Sequence, residues 1–93
     1  MYQGTVDGVG VELREPCLDD LPEIELICRE RGQELSDMVK MSQTELMFNV
    51  FVVLCVKFGD KEKITREELG KLPMKAAKEV VEAVMFFRDS LSF

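Results

Sequence analysis

Ninety-three residues, 46% apolar and 32% charged, describe a single domain with enough apolar material for a core and enough charge for solubility, which excludes a disordered chain. A formal net charge of −6 argues against nucleic-acid binding, which rests on Lys and Arg neutralising phosphates. The absence of histidine excludes the usual zinc ligand sets and imidazole acid–base chemistry.

The charge is uneven: residues 1–35 hold nine acids and three bases, whereas residues 36–93 hold nine of each. The N-terminal third is therefore an acidic surface, read either as a solvated face or as a field that steers a basic partner. Cys17, Cys28 and Cys55 are odd in number and form no C-x-x-C. Cys28 and Cys55 sit in apolar patterns, which fits free thiols in a reducing cytoplasm. The first residues lack the basic-then-apolar pattern of a secretory signal.

Residues 2–14 read as a β-hairpin. Tyr2, Gly4 and Val6 alternate before Asp7-Gly8, and Val9, Val11 and Leu13 alternate after it. Asp-Gly between alternating runs is a strong hairpin signal, because the turn needs positive φ. Glu12 and Arg14 are expected to face water, and Pro16 ends the second strand. A first helix is expected over residues 19–31. Asp19 or Asp20 can cap it, Pro22 suits its first turn, and Leu21, Ile24, Ile27 and Cys28 form its apolar stripe. Gly32 closes it, and one further helical turn is expected around Leu35, Met38 and Val39.

Residues 46–58 are the densest apolar run. Wound as a helix, they have almost no polar face: Glu45 and Asn49 share one arc, and Val52 and Val56 fall on it too. Such a helix must be buried all round or span a membrane, and this run is too short to span. A chain of this length has difficulty surrounding it, so part of it is expected to meet another chain. Ser42 to Glu45 reads as its capping box and Gly59 as its stop. Thr65 to Glu68 is a second capping box, opening a short helix through Leu69. Leu72-Pro73 then starts the last helix, whose apolar face runs through Ala77, Val80, Val84, Phe87 and Leu91. Phe86 lies instead in the charged arc of Lys75, Glu79, Glu82 and Asp89. Two explanations stand: a loop or the hairpin folds over it, or it anchors a partner. The methionines beside the apolar helices likewise suit either core filling or an adaptable binding surface.

Chemical motifs are weak. Ile64 to Leu69 is similar to the end of a calcium loop, but the register puts Lys57 at the first ligand position and Glu62 where Gly is required. Asp89-Ser90-Leu91 is similar to a carrier-protein attachment triplet, but only two residues follow it. Asp19-Asp20 and Glu67-Glu68 lie at helix starts, where capping explains them, and Cys17 has no histidine to activate it. No catalytic residue, cofactor or metal site is expected.

The order of several motifs resembles the small phage tail assembly chaperones. Asp7-Gly8, then Val11 to Pro16, then Asp20-Leu21, is similar to their opening hairpin and following strand; Ile64-Thr65, Glu68-Leu69, Leu72-Pro73 and Phe86-Phe87 are similar to their closing pattern. The likeness covers residues 5–21 and 63–88, with Cys17 where a hydroxyl or amide residue is common and Ala76 where an acid often sits. It implies a non-catalytic protein that binds the tail tape-measure protein in the cytoplasm of the bacterial host and is not retained in the virion. The alternative is a structural tail or connector protein acting as a homo-oligomer. The expected architecture is α+β, residues 1–16 as a hairpin and 17–93 as about three packed helices, with Phe48, Phe51, Val52 and Phe86 at a protein interface, and with neither nucleic acid nor membrane as partner.

Overall fold

The computed structural model describes residues 1–32 and 43–89. The expected turn around Leu35, Met38 and Val39, the cap at Ser42 and the helix end at Leu91 lie outside the described residues. The fold is α+β. Strands β1 (Tyr2–Val6) and β2 (Val9–Leu13) are followed by α1 (Asp20–Glu30), α2 (Gln43–Leu54), β3 (Cys55–Phe58), α3 (Arg66–Gly70), a 3₁₀ turn (Met74–Ala76) and α4 (Ala77–Met85).

The hairpin forms as its alternation dictates. Val6 pairs with Val9 across Asp7 and Gly8, whose φ values of 53° and 75° make the primed turn that matches strand twist. Val6, Val11 and Leu13 point into the core.

The apolar run is not one helix. It winds as α2 only to Leu54, and Cys55 to Phe58 leave it as β3, antiparallel to β2. The reason lies in the sheet: without β3, the second border of β2 would be unpaired. Leu54 O accepts from Arg14 N–H at 2.9 Å, Glu12 stands opposite Lys57, and Gly59 N–H donates to Gly10 O at 2.8 Å. Gly59 is thus the stop of a strand rather than of a helix; its φ is +62° and a Cβ there would press on Val9.

Shortening the helix changes the burial argument too. The twelve residues of α2 pack against α1, α3 and α4, and Asn49, Val50, Phe51, Val53 and Leu54 are buried by this chain alone. The core joins them to Ile24 and Cys28 of α1, Ile64, Leu69, and Val80, Ala83 and Val84 of α4.

Side-chain caps are expected at the starts of α1 and α3; α3 has one and α1 does not. The α3 capping box is present, with Glu68 N–H donating to Thr65 Oγ1 and Thr65 N–H to Glu68 Oε1, each at 3.1 Å. At α1, Asp19 occupies the cap position without a side-chain hydrogen bond. Asp20 turns back instead, accepting from Cys17 N–H at 2.8 Å and from both Arg14 Nη groups, at 2.9 and 2.5 Å. Arg14 therefore does not simply face water. It forms a bidentate pair with a buried carboxylate, and its Nη2 also reaches Val53 O at 3.4 Å. The Arg14 guanidinium holds the Asp20 carboxyl below its ordinary value of 3.8, and the Cys17 N–H adds to the effect.

Asp20→Ala leaves the Cys17 N–H and the Arg14 guanidinium without their acceptor and is expected to cost about 2–3 kcal/mol at pH 7 in urea denaturation. Because the folded Asp20 value is lowered, its stabilisation is complete above pH 3.8 and is lost as pH falls through the folded value. The gap between parent and variant should therefore narrow in acid; a gap constant down to the acid limit would show that the carboxylate charge is not what stabilises.

Candidate protein-binding groove

An apolar groove opens where α2, α3 and α4 converge. Phe48 forms one wall, Leu69 and Gly70 the end, and Leu72, Pro73, Met74, Ala76, Ala77 and Val80 the other wall, around a space of about 330 Å³. It exists because the chain changes direction there with small residues. Pro73 precedes the 3₁₀ turn, and Gly70, Ala76 and Ala77 carry too little side chain to close the gap left between the helices. Met74, 93% exposed, stands at the mouth.

The Phe48 wall is held by a polar network. Arg66 lies over the Phe48 ring, 5.5 Å from its centroid, and its Nε donates to Asn49 Oδ1 at 2.7 Å. Asn49 is fully buried, and its Nδ2 donates to Cys28 Sγ at 3.5 Å. Arg31 pairs with Glu45 at 3.2 Å nearby. Burial, then the charge of Arg31, lowers the Arg66 value, and Glu45 opposes the shift. Outside the groove, exposed Lys71, Lys75 and Lys78 alternate in sequence with the lining residues. Lys71 meets Glu67 at 3.6 Å in an exposed pair, while Lys75 and Lys78 form no ion pair among the described residues.

The expected interface residues separate. Phe48 lines the groove. Val52, one turn further along α2, is half-buried against the core. Phe51 is fully buried, its ring edge-on to Phe58 at 6.4 Å, so it is a core residue and offers no surface to a partner. Phe86 is 61% exposed and lies away from the groove, 5.5 Å from the Tyr2 ring and 5.0 Å from that of Phe87. The hairpin does fold against it, without covering it. Leu72, Met74, Ala76 and Ala77 were not expected as site residues; the available signal was the cluster of small residues flanking Pro73, which periodicity does not register.

Among the described residues, no group of three or more Cys, Asp or Glu is placed to hold a metal ion, and no helix is long and apolar enough to cross a membrane. The three cysteines are free, and burial pushes the Cys55 thiol up, away from the thiolate that nucleophilic chemistry needs. Comparison with family models, curated proteins and solved structures finds no match to this chain.

Arg66→Met keeps an apolar stem over Phe48 but leaves the buried Asn49 oxygen without its donor. The expected loss is about 1–2 kcal/mol in chemical denaturation, and adding Asn49→Leu should recover part of it, because the unpaired acceptor is then gone. A double variant weaker than the sum of its two single changes would contradict this account.

Proposed function

We propose that this chain is a non-catalytic protein-binding domain that takes the apolar face of a client helix into the groove beside Phe48. The observation that carries the reading is the groove itself: apolar walls from three helices, with Met74 at the mouth. Its volume suits anchoring side chains from one face of an amphipathic helix rather than a whole helix, the arrangement of helix-in-groove recognition. The occupant is further specified by charge. Exposed Lys71, Lys75 and Lys78 adjoin the lining residues in sequence, in a chain that is otherwise acidic, so they favour a helix whose apolar stripe is flanked by Asp and Glu. Met74 adds an adaptable contact for varied side chains.

The resemblance in the hairpin and the Ile64 to Phe87 segment supplies the client class: the long helical tape-measure protein of a phage or prophage tail, kept soluble in the host cytoplasm until the tail tube forms around it. Chaperoning of this kind needs no active-site chemistry, only repeated, reversible covering of apolar helical faces.

Co-expression with the tape-measure protein encoded nearby tests this. The client is expected to be soluble and to co-purify only when this chain is present. Ala77→Trp, which fills the groove from a half-buried position, should reduce the co-purified client about tenfold, the loss of roughly one good anchor, while circular dichroism stays unchanged. A client that is soluble without this chain, or one held equally well by the filled groove, would sink the proposal. Recovery of the chain in purified virions would favour the structural, homo-oligomeric alternative.

A further inference from the structure

β1 forms one border of the sheet, whose order is β1-β2-β3. The register shows which of its backbone groups face outward. Gly10 O accepts from Gly59 N–H and Arg14 N–H donates to Leu54 O, so the even residues of β2 address β3 and the odd ones address β1. Val9, Val11 and Leu13 stand opposite Val6, Gly4 and Tyr2. Gln3 and Thr5 therefore turn their N–H and C=O groups to the open border. Asp7, next in that line, has its N–H taken by Glu79 Oε1 at 3.1 Å.

Exposed borders are commonly guarded by charge, proline or a bulge. The β3 border has such guards: Lys57 lies in it, and Phe58 N–H is taken by Lys61 O at 2.8 Å. Among the described residues Tyr2–Val6 has none; it holds no charged residue and no proline, and its register with β2 is unbroken.

We infer that β1 pairs antiparallel with β1 of a second copy, about a two-fold axis at Gly4, to give a six-stranded sheet. The occupant is a second copy because the border complements itself. Gln3 and Thr5 are symmetric about Gly4, so the pairing opposes Gln3 of each copy with Thr5 of the other, and each such pair exchanges two N–H···O=C bonds. Gly4 meets Gly4 at the intervening position, where antiparallel strands come closest, to about 4.5 Å between Cα atoms. On the helix-facing side the Tyr2 ring lies over Gly4, in the space a Cβ would occupy. Self-pairing sets the two Tyr2 rings beside one another across the axis and extends the sheet alongside the exposed Phe86 ring that Tyr2 contacts.

Sedimentation velocity over a wide concentration range tests the pairing, with Tyr2 fluorescence as a second reading, since Tyr2 is the only tyrosine and there is no tryptophan. A monomer–dimer equilibrium is expected. Gln3→Lys with Thr5→Lys opposes like charges twice and should weaken the dimer about tenfold. Gln3→Lys with Thr5→Glu opposes unlike charges in the same register and should restore it to within about threefold of the parent. Thr5→Pro removes an outward N–H and no internal ladder bond, and should weaken the dimer while the far-ultraviolet spectrum is kept. A chain monomeric throughout, a dimer indifferent to the Lys–Lys pair, or one weakened equally by both charge pairs would overturn the inference.

Discussion

The run from Leu46 to Phe58 imposes the constraint around which the rest of the molecule is arranged. Thirteen residues with one charge cannot be left in water, and a 93-residue chain has little material with which to enclose them. The solution is to use the run twice. Its first part is the central helix α2, surrounded by α1, α3 and α4; its last four residues become β3, which hides its backbone against β2 and places Cys55 in the core. The change at Leu54 serves both halves, because the carbonyl there is taken by Arg14 N–H, the first residue past β2. The helix end and the sheet border are satisfied by the same hydrogen bond.

Apolar burial alone would leave the orientation of these layers loosely specified, and two buried polar side chains fix it. Asp20 ties the start of α1 to Arg14, and through Arg14 to the end of α2. Asn49 ties the middle of α2 to Cys28 on one side and to Arg66 on the other. Asn49 is hydrogen-bonded to two other helices and Asp20 to the segment that follows β2, so rotating α1, α2 or α3 would strand a buried polar group. Arg66 also braces the Phe48 ring, which makes the wall of the groove part of the same network.

The hairpin, the Thr65 capping box and the α4 face through Val80 and Val84 were legible because their signals are local: a turn pair, a hydroxyl three residues before a carboxylate, a period of three and four. β3 was not. Cys-Val-Lys-Phe continues the helical pattern as readily as it forms a strand, and what decides is β2, more than forty residues away in sequence, with a border to fill. Arg14 was misread for a related reason, since alternation along a strand says nothing of a carboxylate waiting on the next helix. The groove was half legible. Phe48 announced itself by size, whereas Ala76, Ala77 and Gly70 matter by what they omit, and Phe51 shows that an aromatic ring on an apolar helix is more readily core than contact.

The two surfaces are related through α4. At about 100° per residue, Ala77 and Val80, continuing from Ala76 of the 3₁₀ turn, occupy one flank of that helix and face the groove, while Glu79 and Phe86 lie about a third of a turn away and face β1. Pairing at β1 would therefore leave the groove uncovered, and a pair of copies would present two grooves related by the same two-fold axis. A single groove of this volume has room for only a few anchoring side chains. A client with apolar helical faces repeated along its length would meet the second groove at the effective concentration set by the first, and would be held far more tightly than one groove allows, yet released stepwise as another protein displaces each copy. On the proposed reading, the strand border and the groove, each modest alone, would together suit a long client with repeated apolar helical faces.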